Sequence, residues 1–447
     1  MKLKLCLIAI LAVCVFLSST CDILNGNENK NNSNDNTTDS SIKNLGNIKE
    51  HISGSNSINF AYARNIWDMH LFGNRIYIGY GSWANSSVSG AVNRGPIPII
   101  AIDTAADQFV REDVYVNAND VLTHRPNGAD DEQLWIFREI NGTDGVCRLY
   151  AHGTDARGTV GAPSAEGWDW GNYYIRQTDG TWLKKPTIPG GIHVLDIISF
   201  NGKLYTGIGG NSEIDGSVGI MYSSDDGETW SAPENLTNTA RNYTLIAWRE
   251  SLYAFGGDSA RRVTSGVQPQ TRLRGRVIDA NNSTTDSTTV LGIFSEVLDD
   301  TRYIIRKYAF IGNLIAFILY KQGETNDSWE SPAGLHYASS FSTTSTISIV
   351  SLPNPSAEAI DIISRNNDTF AYILANVKNG NNYTVIVYKT VNLTNFETVC
   401  SFRFDTFARS FEEHNGNFYF GMGTMDGEPG TLSELSGTII KIPFEDN

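Results

Sequence analysis

An all-β chain is predicted, its folded part a seven-bladed β-propeller of four-stranded antiparallel blades. Three observations predict it: a hairpin pattern that returns seven times, the near absence of helix-period segments, and a Ser/Asp/Gly/Trp turn between strand-like runs. The clearest hairpins run from Asp68 to Tyr77, from Asp196 to Tyr205 and from Ser410 to Tyr419. Each is an apolar run, an Asn/Gly turn suited to positive φ, and an alternating apolar run. Weaker copies span Thr244 to Tyr253, Arg306 to Ile315, Asp361 to Phe370 and, more loosely, Leu134 to Tyr150. The copies start near residues 67, 135, 194, 244, 304, 359 and 408, a mean step of about 57 residues, which leaves room for two more strands per unit.

Taken in chain order, residues 1–20 read as a signal peptide: Lys2 and Lys4, an apolar run from Leu5 to Leu17, then Ser18, Ser19, Thr20 and Cys21. That run is short for a membrane span. A small-residue site ending in cysteine resembles the lipobox of bacterial lipoproteins, which implies a lipid on Cys21. The match departs at Leu17, one position too far from the cysteine, and at Thr20; Cys14 after Leu11-Ala12-Val13 is the second candidate. Residues 21–55 are expected to be a disordered tether, because residues 22–50 hold nine Asn and too few apolar side chains to offset ordering. The expected address is the cell envelope, lipid-anchored outside the cytoplasm, or else secretion.

Residues 56–447 are expected to form the propeller. The last unit offers only three clear strands, so residues 56–62, which alternate polar and apolar, are expected to supply the fourth and close the ring. With Cys21 lipidated, Cys147 and Cys400 remain, expected as buried free thiols, though a disulfide between them is open.

The turn Ser223-Ser224-Asp225-Asp226-Gly227-Glu228-Thr229-Trp230 fits the Asp-box pattern and resembles the bacterial neuraminidase repeat of the sialidase superfamily. The resemblance implies a propeller in which Ser223, Asp225, Gly227, Thr229 and Trp230 are structural, the tryptophan packing between blades. Residues 178–182 and 390–396 are degenerate relatives. The family's Arg-Ile-Pro segment has no counterpart and the region around Trp67 offers no equivalent arginine, so no catalytic role is carried over.

The net charge of −15, from 34 Lys+Arg against 49 Asp+Glu, argues against a nucleic-acid partner. Seven scattered histidines lack ligand spacing, and phosphate-cradling or nucleophile-elbow motifs are missing, so neither metal nor cofactor is expected. Of Glu412 and Glu413, alternation allows one to face a cavity.

Counting nine residues back from the second-strand marker gives Asp68, Asp196, Thr244, Arg306, Asp361 and Ser410, with Arg138 in the second unit. These are expected to ring one mouth of the channel, and the loops after the second strands, with Trp83, Trp168, Trp170, Arg261, Arg262, Arg272 and Arg274, to open beside them. The candidate ligand-binding set is Asp68, His70, Arg138, His193, Asp196, Arg306, Asp361, Arg409 and Glu412. Aromatic platforms beside arginines suit a ligand bearing a carboxylate, an acidic glycan among them. The expected function is therefore a surface lipoprotein, monomeric, whose propeller binds a ligand. The alternatives are an extracellular glycan hydrolase or lyase and a protein-binding propeller.

Overall fold

Alternating apolar residues and Asn/Gly turns give antiparallel hairpins throughout the computed structural model. It describes residues 41–52, 65–81, 97–116, 131–142, 144–156, 170–189, 191, 193–209, 219–223, 225–232, 241–257, 272–279, 290–296, 298, 302–322, 331–423 and 434–444. Among these residues there is no α-helix; a 3-10 turn, Ile48–His51, follows the first strand, β1 (Lys43–Asn47). The fold is all-β and propeller-like.

Among the described residues the strands form seven successive hairpin-led modules. Module one is the meander β2 (Ile66–Phe72), β3 (Arg75–Gly81), β4 (Ile99–Asp103) and β5 (Gln108–Glu112). Strand β6 (Val114–Val116) lies parallel to the outer strand of module two, which comprises β7 (Asp131–Asn141), β8 (Cys147–Ala156), β9 (Trp170–Arg176) and β10 (Trp182–Pro189). Module three shows β11 (His193–Phe200), β12 (Lys203–Gly209) and β13 (Gly219–Ser223) among the described residues. Module four holds β14 (Arg241–Trp248), β15 (Ser251–Gly257), β16 (Arg272–Asp279) and β17 (Val290–Phe294). Module five holds β18 (Arg302–Ile311), β19 (Leu314–Gln322), β20 (Ser331–Ala338) and β21 (Thr346–Ile349). Module six holds β22 (Glu358–Arg365), β23 (Phe370–Asn379), β24 (Asn382–Thr390) and β25 (Glu397–Phe404). Module seven holds β26 (Phe407–His414), β27 (Asn417–Gly423) and β28 (Thr438–Pro443), with β1 as its outer strand.

The N-terminal segment thus completes the last sheet through Lys43–Asn47; residues 56–62, which were expected to do so, lie outside the described residues. The expected tether boundary at residue 55 is corrected by the same strand. It is held by ladder bonds and by Asn47, whose Nδ2 donates to Ser436 O at 2.9 Å and Thr438 Oγ1 at 3.1 Å. Lys43 and Lys441 both bind Asp107 of module one.

Every first-strand hairpin carries a β-bulge at the same place. The extra residues are Trp67, Trp135 with Ile136, Leu195, Tyr243, Arg306, Ile360 and Arg409. The position after each bulge holds Asp68, Phe137, Asp196, Thr244, Lys307, Asp361 and Ser410 in register. Several of these polar side chains bind the next first strand. Asp68 Oδ2 accepts from Phe137 N–H at 3.1 Å, Asp196 Oδ2 from Leu245 N–H at 2.8 Å and Asp361 Oδ2 from Phe411 N–H at 3.4 Å. Thr244 Oγ1 donates to Ile305 O, and Ser410 Oγ donates to Ile66 O at 2.8 Å, returning from module seven to module one. The first strands β2, β7, β11, β14, β18, β22 and β26 touch one another in that cyclic order.

Apolar clusters fill the spaces between consecutive sheets. One joins modules one and two and extends to Tyr419 and Ile439 of module seven; others join two to three, three to four, four to five, five to six and six to seven. Burial of these facing sides is the main drive to assemble the sheets. No disulfide forms between the two described cysteines. Cys147 is exposed, not buried as expected, and Cys400 is half-buried.

Candidate functional site

A bulge inserts one residue and re-aims its side chain out of the pleat. Here the re-aimed side chains of five modules meet. Arg409 lies over the Trp67 ring, 4.2 Å from guanidinium carbon to centroid, with Phe407 at 5.9 Å. Trp67 stacks on Trp135, centroids 5.9 Å apart and planes inclined by 27°. Across from module five, Arg306 lies 3.4 Å over the Trp135 ring and 5.2 Å from that of Tyr243. The column Arg409–Trp67–Trp135–Arg306–Tyr243 therefore sets two cations against three ring faces, the tryptophan pair between them, each guanidinium oriented by the quadrupole beneath it. Trp67, Trp135, Ile136, Arg306, Lys307, Tyr320 and Arg409 line a small pocket that opens to solvent. The Trp67 indole N–H is buried there without a hydrogen-bond partner, while the Tyr320 hydroxyl donates to Ile360 O at 2.7 Å.

One residue further along the strands lies a charged layer. Lys307 Nζ is 2.5 Å from Asp68 Oδ1 and 3.4 Å from Asp361 Oδ2. Burial pulls the ammonium pKa down, but Asp361 and Asp68 outweigh it, and the net direction is up. Burial acts upward on both carboxyls. In Asp68 it is outweighed by Lys307, His70 and the Phe137 N–H, leaving the pKa lowered. In Asp361 burial wins over Lys307, with Asp68 adding to it, and the pKa is pushed up to about 6. Beside them, Arg138 binds Asp196 in a bidentate pair at 3.0 and 2.9 Å and lies 5.2 Å from the Tyr308 ring of module five. Asp196 overcomes the burial of that guanidinium and raises its pKa.

The nine expected site residues therefore separate into levels. Arg306 and Arg409 enter the pocket. Asp68, Arg138, Asp196 and Asp361 sit beside or beneath it, bonded to the protein. His193 is buried at the start of β11, opposite Gly209 and Thr154 in register. His70 and Glu412 lie nearer the hairpin turns. There His70 Nε2 is 3.2 Å from Glu139 Oε1, and Glu412 Oε2 accepts from Leu71 N–H at 3.0 Å. Glu412 and Glu413, of which one was expected to face a cavity, both pair with Arg365 of module six. Arg306 was counted as the equivalent of Asp68; that position belongs to Lys307, Arg306 being the bulge residue itself. Arg138 likewise falls one place past its equivalent, Phe137. Arg272 and Arg274 were assigned to a loop and lie in β16; Trp170 opens β9. Trp83, Trp168, Arg261 and Arg262 lie outside the described residues. Trp67, Trp135, Tyr243, Lys307 and Tyr320 were missed. The legible signal was the large residue directly before the polar marker in several units.

The turn after β13 forms as its residue types demand. Ser223 Oγ donates to Asp225 Oδ1 at 2.6 Å and accepts from Gly227 N–H at 2.8 Å. Asp225 takes the Thr229 N–H at 2.9 Å and the Thr229 hydroxyl at 2.6 Å. These donors hold the Asp225 carboxyl at a pKa of about 2. Trp230 leaves the turn for module two, its Nε1–H donating to Thr187 Oγ1 at 3.1 Å and its ring edge-on to Tyr173. The related segments repeat the scheme: Asp179 accepts from Thr181, and Trp182 Nε1–H donates to Glu112 of module one at 2.6 Å. Asn392 accepts from Thr394 and Asn395 N–H. None of these residues is among those that line the pocket, and both tryptophans bond to a neighbouring module.

Site and fold together define an all-β, propeller-like protein with a cationic, aromatic pocket fed by its first strands. No protein-family model matches the chain, and no curated protein matches it. Among solved structures it is similar to a polysaccharide lyase of family PL25, an ulvan lyase bound to -[GlcA(1-4)Rha3S]-. That likeness has 10% identity and a TM-score of 0.46, covering 86% of this chain and 96% of that one. It is also similar to hydrazine synthase of Kuenenia stuttgartiensis, with 12% identity and a TM-score of 0.45, covering 85% and 96%. Likeness this distant, to two proteins of such different chemistry, carries no functional assignment.

Proposed function

We propose that residues from Lys43 onward form a seven-bladed β-propeller whose pocket binds an anionic, ring-bearing ligand, an acidic glycan in first place. On this reading the protein is displayed outside the cytoplasm through a lipid on Cys21, and the Ser223–Trp230 turn is a structural Asp-box. The observation that carries the binding reading is the pair of arginines stacked on tryptophans in one cavity, Arg409 on Trp67 and Arg306 on Trp135. Indole faces suit the apolar face of a sugar ring, and a guanidinium already oriented by stacking loses little freedom on gripping a carboxylate. Among the described residues that line the pocket there is no carboxylate and no histidine. Hydrolysis needs a positioned acid and base, so binding is favoured over turnover.

Calorimetry on the full chain with oligogalacturonate, hyaluronan tetrasaccharide, sialyllactose and neutral cello-oligosaccharides tests this. At least one acidic glycan should bind, and Arg306→Lys and Arg409→Lys should each weaken it about tenfold, since lysine keeps the charge but not the fork. Equal affinity for neutral and acidic sugars, or no binding at all, refutes the reading.

A further inference from the structure

The charge balance beneath the pocket carries one more property, which rests on reading the pocket as an anion site. Lys307 belongs to the cavity lining, yet its ammonium is shared by two buried carboxylates. With both ionised, this triad holds one net negative charge out of water, directly below the place where a ligand's anion would sit. The two carboxylates are not equally committed. Asp68 is the closer partner of the ammonium at 2.5 Å; Asp361 stands off at 3.4 Å, its Oδ1 taking the Ile362 N–H at 2.8 Å while its Oδ2, the oxygen facing Lys307, has beside it a long bond from Phe411 N–H, also 3.4 Å.

We propose that the pocket takes up a proton together with its anionic ligand: the ligand's acidic group meets Lys307 from the cavity side, and Asp361 becomes a neutral carboxyl and releases its share of the ammonium. The step balances, since one anion and one proton enter and the charge of the buried triad plus ligand is unchanged. Asp361 is already poised for it, its carboxyl raised to about 6 by burial, with Asp68 adding and Lys307 opposing. A second anion at Lys307 diverts part of that opposing attraction and adds a like charge, so the carboxyl rises further in the complex.

Other charged groups on the elements packed against β22 have commitments of their own. Arg306 on β18 and Arg409 on β26 are stacked on tryptophans, Glu412 on β26 pairs with Arg365, and His336 on β20 pairs with Glu296. On β23, Lys378 acts on Glu358. His70 on β2 pairs with Glu139, and the Tyr320 hydroxyl on β19 is bonded to Ile360 O. The charged groups that act on Asp361 are Lys307 and Asp68, beside its burial and the N–H groups of Ile362 and Phe411.

The sign follows from linkage. Below about pH 6 Asp361 is protonated before the ligand arrives, and affinity is flat. Above it, affinity falls as pH rises, by at most about tenfold per unit, until the complex too loses the proton. Calorimetry of the full chain with oligogalacturonate and with a sulfated heparin hexasaccharide, from pH 5 to 8 in two buffers of different ionisation enthalpy, reads both proton uptake and affinity. Either probe that binds should take up as much as one proton near pH 7 and bind about tenfold more weakly at pH 8 than at pH 6. Asp361→Asn should bind without pH dependence, and more tightly than the native protein at pH 8. Equal affinity at pH 6 and 8 with no buffer-dependent heat overturns the coupling and leaves the anion site standing. A ligand-free arm separates the failures: tryptophan fluorescence should titrate near pH 6 in the native protein and not in Asp361→Asn. If neither protein binds either probe, the pocket reading falls. A fluorescence titration that survives Asp361→Asn, or never appears, overturns the role of Asp361 whatever binds.

Discussion

Replacing Asp196 by alanine is the severest test of how the first strands hold one another. Its carboxylate is fully buried and makes four bonds: Oδ1 accepts from Arg138 Nε at 3.0 Å and Ile197 N–H at 2.9 Å, and Oδ2 from Arg138 Nη2 at 2.9 Å and Leu245 N–H at 2.8 Å. Alanine leaves a guanidinium without its counter-charge, which for buried pairs costs about 3–5 kcal/mol. Two backbone N–H groups lose their acceptor, each at about 1–3 kcal/mol if water cannot reach them. The losses overlap, because one entering water could serve both amides, so about 5 kcal/mol is the expected total. Set against a typical stability of about 5–15 kcal/mol, that brings the domain close to unfolding. Urea titration followed by tryptophan fluorescence near pH 7 measures it. The double variant Asp196→Ala with Arg138→Met should recover about 2 kcal/mol or more, because the unpaired charge is gone. A single-variant loss below about 1 kcal/mol, or a double variant less stable than the single, would refute the argument that this pair stitches module two to modules three and four.

Two further outcomes are expected. Gly227→Ala should destabilise by about 1–3 kcal/mol, since Gly227 has φ of +83° and an added Cβ would run into the Tyr173 hydroxyl; an unchanged melting temperature would mean that the turn yields without strain. Cys21→Ser should move the protein from membranes into the soluble fraction; unchanged partitioning rejects lipidation at Cys21 and leaves Cys14 or no lipid.

The hairpin rhythm was legible because its cause is local. Turns such as Asn201-Gly202 and Asn415-Gly416 sit at positive φ, and the flanking alternation sets two faces to bury. The bulges were not legible, because one inserted residue leaves no mark on composition and yet shifts every later side chain by one place. In Arg306-Lys307 two neighbouring cations look interchangeable, and only the bulge decides that the first stacks on Trp135 and the second reaches Asp68. β1 escaped for another reason. An edge strand of sequence Lys-Asn-Leu-Gly-Asn offers one large apolar side chain, Leu45, and is held by ladder bonds, the Asn47 amide and two lysines on Asp107, none of which leaves a hydrophobic period. The bonds from Asp68, Asp196 and Asp361 to the next first strand were equally invisible, since those partners lie on neighbouring modules about fifty or more residues away.

The seating of β1 also governs how the domain carries load. Lys43 lies opposite Lys441 and Asn47 opposite Thr438, so the strand enters antiparallel to β28. Tension drawn from the N-terminal side along the strand axis strains all the rungs of that ladder at once, together with the Asp107 clamp. A pull at right angles would instead open them one by one from Lys43. After β1 the chain turns through Ile48–His51 and goes on to β2 in module one. Peeling β1 away would therefore release a latch between modules one and seven before any other sheet is disturbed. A protein hauled by its N-terminus in flowing liquid would hold or unlatch according to the direction of drag.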